Sequence, residues 1–159
     1  MIDPAAFAAQ GTVRRRVEHQ VVVAASPRDA WGAWVDPARV TNFLGEAARI
    51  DLRIGDRYEI IFLPDAPEGR QGSETCRILA YLPGEMLAFS WNAPPELAEV
   101  RSRHTWVVVT FQGPEEGPTP IRLVQTGFGE GPVWDQDVAY FTAAWATVLA
   151  GCRDCFGAG

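Results

Sequence analysis

The chain has 159 residues, 47% of them hydrophobic and 21% charged, and its 14 basic residues (all arginine) face 20 acidic ones for a net charge of −6. This length predicts a single domain over residues 1–159, and the composition excludes intrinsic disorder, collagen and coiled coil. No apolar run approaches the ~20 residues of a membrane span, and the acidic balance argues against nucleic acid, whose phosphates are held by Lys and Arg.

The absence of lysine excludes Schiff-base chemistry. Three cysteines, an odd number, fit a reducing compartment. Met1 to Gln10 carries Asp3 and Pro4 where a secretory leader would be basic, so a cytoplasmic location is expected.

Residues 1–12 read as an N-terminal extension with a helical turn or two between 2 and 10. Thr12 to Ala25 reads as a strand, because Val13, Val17, Val21 and Val23 are interleaved with Arg15, Glu18 and Gln20. The Arg14-Arg15-Arg16 triplet falls on it and is expected to be a solvated edge. Ser26-Pro27-Arg28-Asp29 is a helix start, with a capping hydroxyl, a proline for the first helical position and an acid for the positive first turn. Ala30, Trp31, Trp34 and Val35 then share one face. Asp36-Pro37 repeats the signal and opens a second short helix through Phe43 and Leu44, closed by Gly45.

From Ala48 the period changes to two. Ile50, Leu52 and Ile54 alternate with charge, Gly55-Asp56 turns, and Tyr58, Ile60 and Phe62 resume the alternation. A loop follows from Pro64 to Gly72. Glu74 to Leu82 and Met86 to Trp91 form a hairpin around Pro83-Gly84. Ala93 to Ser102, with a double proline, reads as a loop. His104 to Phe111 and Ile121 to Gly127 are two further strands, separated by a Pro- and Gly-rich connection. Beyond Gly131-Pro132, the residues Trp134, Val138, Phe141, Trp145, Val148, Leu149, Cys152 and Phe156 step mostly by three and four, a helical stripe about 36 Å long at 1.5 Å per residue. Asp135 and Asp137 are read as acids of its N-terminal turn. A strand, two short helices, a run of strands and one long helix predict an α+β fold: a curved antiparallel sheet of six or so strands gripping the terminal helix.

Several short motifs in this order resemble the START-like (SRPBCC) superfamily, the helix-grip fold of the birch-pollen allergen. The similarity is to the branch related to the activator of the ninety-kilodalton heat-shock chaperone's ATPase. The motifs are Ala25 to Trp31 running on through Asp36-Pro37 and Phe43, Gly55-Asp56-Arg57-Tyr58, the Ile78 to Trp91 hairpin, Thr119 to Phe128, and Ala144-Trp145 to Leu149. Where the branch often carries Thr-His in its closing strand, this chain has Gln125-Thr126-Gly127, so no role of that histidine transfers. The resemblance does not extend to the extra N-terminal domain of the eukaryotic co-chaperone, so that domain is not expected here.

The resemblance implies a START-like domain with a cavity between sheet and C-terminal helix. The six tryptophans either line such a cavity or pack as ordinary core. The candidate lining is Trp31, Trp34, Phe43, Tyr58, Ile60, Phe62, Trp91, His104, Trp106, Gln125, Trp134, Phe141 and Trp145, with Tyr58, His104 and Gln125 as its polar members. The expected partner is a small hydrophobic or amphipathic molecule. Two alternatives stand beside it. One is a cyclase-, aromatase- or hydrolase-like enzyme acting on an aromatic substrate through His104, Tyr58 or a buried carboxylate. The other is a stress-response interaction module that meets a chaperone, with a homodimer as a further partner.

No catalytic residue, cofactor or metal is assigned. His19 and His104 are the only histidines and neither has a second ligand at metal spacing. Cys152-Arg153-Asp154-Cys155 has redox spacing, but at the C-terminal end of a helix the dipole disfavours a thiolate, so the pair reads as structural. Gly127 to Gly131 lacks the Lys-Ser/Thr of a phosphate loop and reads as a flexible lid or hinge.

Overall fold

The structure is a computed structural model that describes residues 15–157. The expected extension 1–12, its helical turns and the first residues of the strand from Thr12 lie outside them. Strand β1 spans Arg16–Val23, and its alternation is real: Val17 and Val23 are buried while Glu18, Gln20 and Val22 are exposed. Within the expected solvated run, Arg15 does more than face water. Arg15 donates from Nη1 to the carbonyl of Gly129 at 2.9 Å and pairs with Asp135 at 2.8 Å, tying the start of β1 to the start of the terminal helix.

Both predicted helix starts form. In α1 (Pro27–Val35) the Ser26 hydroxyl accepts from the Asp29 amide at 3.1 Å. Asp36 closes α1 by donating its own N–H to the Gly32 carbonyl, and its carboxylate accepts from the Ala38 amide at 2.9 Å to open α2 (Pro37–Val40). One residue thus stops one helix and starts the next.

The main sheet has five strands in the order β1-β7-β6-β5-β4. Here β4 is Ile78–Leu82, β5 Met86–Trp91, β6 Thr105–Phe111 and β7 Thr119–Thr126, and every neighbouring pair is antiparallel. The strands expected at 48–54 and 58–62 do not join it. They form a separate pair, β2 (Ala47–Ile50) and β3 (Tyr58–Ile61), with Ala47 opposite Ile61 and Ile50 opposite Tyr58. Isolated bridges from Arg57 to Arg77 and from Ile61 to Gly72 hold this pair beside the main sheet. The 93–102 segment, expected as a loop, contains a 3-10 turn at Pro95–Leu97 and a short helix α3 (Ala98–Arg101). Proline at the first turn, where its missing N–H costs nothing, is what the double proline contributes.

The 24-residue helix α4 (Pro132–Cys155) lies against the concave face. Its buried stripe is Trp134, Asp137, Phe141, Trp145, Leu149 and Cys152. Opposite it, the inward residues of the sheet include Leu87, Phe89, Val107, Val109, Phe111, Ile121 and Leu123, all 2% exposed or less. Trp34 of α1 fills the space between, with its ring centroid 5.2 Å from Phe43 and 6.4 Å from Phe111. Helix and sheet therefore meet through packed aromatic and branched side chains, which is where most of the burial free energy of the fold resides.

Candidate functional site

A cavity of about 270 Å³ opens at the flank of α4, where the helix meets the exit of β5 and the 62–73 loop. Three walls make it. Phe141, Trp145 and Val148 of α4, with Tyr140 and Ala144 beside them, form the first. Their spacing of three and four puts them on one helical face. The second is the end of β5 and its continuation, from Trp91 to Glu96. The third is the 62–73 loop, with Phe62, Leu63, Arg70 and Gln71, and Leu44 closes one corner. The aromatic surface is continuous. Trp91 lies 5.3 Å from Trp145, Phe141 stacks on Trp145 at 6.3 Å, and Phe62 meets Trp91 edge-on at 6.4 Å. Phe62, Leu63 and Tyr140 are exposed at the rim.

The loop wall is held by two side chains. The Glu74 carboxylate accepts from the amides of Gly69, Gln71 and Gly72. Burial pushes this carboxyl up, but those three N–H groups and the nearby Arg101 guanidinium hold it below the usual range. Arg101 of α3 donates to the carbonyls of Gly69 (2.9 Å), Gly72 (2.8 Å) and Ala93, so its cationic head is spent on bracing loop and β5 exit together. Asn92 adds a bond from Nδ2 to the Gly72 carbonyl at 3.1 Å.

Of the thirteen residues expected to line a cavity, Phe62, Trp91, Phe141 and Trp145 stand in this wall. The other nine lie elsewhere, for identifiable reasons. Trp34 and Ile60 are fully buried in the core. Phe43 packs on Trp34. Trp31 donates its indole N–H to the Met86 carbonyl at 2.9 Å. Tyr58 is fully buried, stacked on Phe89 at 4.2 Å, and its hydroxyl donates to the Trp34 carbonyl at 2.8 Å. Burial pushes that phenol well above its ordinary value. Trp134 packs edge-on against Phe128 at 6.3 Å, with the Arg103 guanidinium over its ring. Trp106 sits between the buried Thr105 and Val107, so strand alternation turns it to the outer face of the sheet. His104 is exposed and meets the Thr75 hydroxyl at 3.1 Å. Gln125 faces inward but is consumed: its amide donates to Thr105 Oγ1 at 2.8 Å, and its oxygen accepts from the Trp145 indole at 2.7 Å.

Two further expectations change. The Gly127 to Gly131 segment is packed over its first three residues, while Glu130 and Gly131 are exposed. A side chain at Gly127 would lie 2.4 Å from the Trp106 ring and one at Gly129 would lie 2.4 Å from Trp134, so these glycines let two indoles lie against the backbone. Phe128 between them is fully buried. The cavity, expected beneath α4, lies at its flank, because Trp34, Gln125 and Trp145 fill the space beneath. At the helix end, Cys152 is buried and its thiol is pushed up to about 12 by burial, while exposed Cys155 contacts the Asn42 carbonyl. Among the described residues, no cluster of His, Cys, Asp and Glu could hold a metal ion, and no helix is long and apolar enough to cross a membrane.

Sequence reasoning missed the loop and segment walls, because Pro- and Gly-rich stretches carry no periodicity. It also misread Asp137. Taken as an acid of the N-terminal turn, this residue lies beyond the first turn, is 1% exposed, and its Oδ1 has no hydrogen-bond partner. The signal was present: Asp137 falls three residues after Trp134 and four before Phe141, in the apolar stripe itself.

The family described as activator of Hsp90 ATPase homolog 1-like protein matches residues 24–156. No curated protein matches the sequence. Among solved structures, a Mesorhizobium loti protein superposes with a TM-score of 0.68 at 20% identity, covering 87% of this chain and 94% of its own. The Aha1 dimer from Colwellia psychrerythraea gives 0.65 at 15% identity, covering 89% and 96%. CalU16 from Micromonospora echinospora gives 0.59 at 20% identity, covering 86% and 73%. At these identities the likeness is one of fold.

Proposed function

The chain belongs to the family of activator of Hsp90 ATPase homolog 1-like proteins, and on that premise we propose that it binds a small apolar or amphipathic molecule in the cavity beside α4. The observation that carries the reading is the wall itself: five aromatic rings, Phe62, Trp91, Tyr140, Phe141 and Trp145, around about 270 Å³ of unfilled space. Cavities of roughly this size, mostly apolar with a few placed polar groups, are the usual form of small-molecule sites. The exposed apolar rim of Phe62, Leu63 and Tyr140 gives a hydrophobic ligand a path that avoids a polar barrier.

The catalytic alternative named His104, Tyr58 or a buried carboxylate, and neither those two nor the buried carboxylates Glu59 and Asp137 line this cavity. His104 lies in the exposed contact with Thr75, and Tyr58 is locked beneath Trp34.

Because Trp91 and Trp145 stand in the wall, intrinsic fluorescence reports on occupancy. Titration with a panel of lipids and polycyclic aromatic compounds is expected to give a saturable change. Ala144→Phe, which places a ring into the cavity from a half-buried helical position, is expected to weaken that binding by about tenfold or more, consistent with the cost of overfilling a packed site. A flat response to the whole panel, or equal binding by the Phe variant, would remove this reading.

A further inference from the structure

The charged residues on the cavity lining are Arg70, Glu96 and Arg101, and they are not equivalent. Arg101 is spent: its donors go to the carbonyls of Gly69, Gly72 and Ala93, and the Glu74 carboxylate lies 3.8 Å away. The amide donors on the lining are spent as well. Gln71 gives Nε2 to the carbonyls of Pro64 and Ala66 at 3.1 and 3.0 Å, and Asn92 gives Nδ2 to those of Gly72 and Glu74 at 3.1 and 3.4 Å. Arg70 differs from all of these. Its guanidinium makes no hydrogen bond or ion pair with any described residue, and it is exposed on the loop that also supplies the rim residues Phe62 and Leu63.

The charges divide the cavity mouth into two sides. On the loop side, Arg70 and Arg101 are two cations, and Arg101 alone is paired with an acid, Glu74. Arg101 feels the repulsion of Arg70 more strongly than the attraction of Glu96, so the two guanidinium groups are neighbours. On the helix side, Glu96 stands near Tyr140, whose phenol is raised first by burial and then by that carboxylate. An anionic head is therefore favoured on the loop side, where a cationic one would be repelled. The planar fork of a guanidinium matches a carboxylate with two parallel N–H bonds. Because Arg70 is exposed, the head stays partly in water and escapes the desolvation cost of a charge sealed in a closed cavity.

We propose that the cavity takes an apolar carboxylic acid in its ionised form, with the carboxylate on Arg70 at the mouth and the apolar body against Trp91, Phe141 and Trp145. This inference rests on the ligand-cavity reading above and names the polar half of that ligand.

The test compares acids with alcohols of the same body. One pair is aromatic, naphthylacetate and naphthylethanol, and one is acyl, octanoate and octanol. Each is titrated calorimetrically into the full chain at neutral pH. At least one acid is expected to bind about fivefold or more tightly than its own alcohol, the upper range for an exposed charge pair. The pair that shows this preference tells whether an aryl or an acyl body is the one accommodated. In Arg70→Gln, which removes no contact within the fold, that acid is expected to fall to within about twofold of its alcohol. An unchanged thermal transition shows that the variant is folded. If both alcohols bind the native chain as well as their acids do, if the preference for the acid survives in Arg70→Gln, or if the variant loses the alcohol along with the acid, the inference falls and the cavity reading stands. If none of the four probes binds the native chain, both fall.

Discussion

Two polar side chains are sealed between α4 and the sheet, and they show opposite ways of being buried. Gln125 is fully enclosed yet complete, receiving the Trp145 indole and donating to Thr105, whose own hydroxyl donates to the Trp91 carbonyl at 3.3 Å. This chain fixes the indole that forms the cavity floor, so Gln125 acts on the site through Trp145 rather than by touching a ligand. Asp137 has no such network, and its raised carboxyl has a consequence for stability. Burial lifts it from its ordinary 3.8 to about 6. Between those values the folded chain holds a proton that the unfolded chain has released. Stability from this group is therefore greatest below about pH 4, falls as the pH rises toward 6, and stays reduced above it. The titratable group that feels its charge is Tyr140, which supplies no positive charge that would reverse the sign. Asp137→Asn, which cannot ionise, is expected to gain stability relative to the native chain on going from pH 4 to pH 7.5, by on the order of 2 kcal/mol. Urea melts of both proteins at the two pH values measure it, and a difference independent of pH would contradict the assignment. What the sequence could not show at this scale was partnership. Alternation placed Tyr58 and Gln125 on the inward face, but whether a buried polar atom is spent or free depends on residues far away in the chain, here Trp34 and Trp145.

The elements themselves were largely legible. Ser26-Pro27 and Asp36-Pro37 fixed two helix starts, period two gave the strands of the main sheet, and the three-four stripe gave α4, because each depends on local geometry. The 62–73 loop and the 92–101 segment were not legible as walls, since their positions are set by long-range contacts. Arg101 reaches Gly69, and Glu74 gathers the amides of Gly69, Gln71 and Gly72. The separate β2–β3 pair was hidden for the same reason, as alternation reveals a strand but not its neighbour. The loop's dependence on one carboxylate is testable. Glu74→Ala leaves three N–H groups without their acceptor and removes the carboxylate 3.8 Å from the Arg101 head. It is expected to destabilise the protein by about 1–3 kcal/mol, the range for stranding buried donors. Hydrogen exchange should accelerate at Gly69, Gln71 and Gly72 first, and unchanged exchange there would mean that backbone contacts alone hold the wall.

The cavity stands between α4, the exit of β5 and the connection from β3 to β4. One wall belongs to α4, which is also joined to β1 through Arg15–Asp135 and the contact of His19 with the Thr142 carbonyl at 2.8 Å, and to β7 and β6 through Gln125. A second wall continues β5, and the third is the connection between β3 and β4. A ligand seated there contacts segments drawn from most of the chain, so its binding energy should stabilise the fold as a whole rather than one loop. For a ligand that binds only the folded state, the gain is set by mass action, about 2.7 kcal/mol at a concentration 100-fold above the dissociation constant. In a protein of this size that corresponds to a rise in Tm of roughly 5–10 °C. A lipid or aromatic compound that binds the cavity, at that excess, is expected to raise a single thermal transition by this amount and to slow hydrogen exchange in β1 and β7, strands that do not line the cavity. The same addition should shift Ala144→Phe by about half as much or less, because its site is about tenfold weaker or more. Protection confined to residues 62–73 and 92–101, with β1 and β7 unaffected, would show that the walls open independently of the core and that the site is a local appendage of the fold.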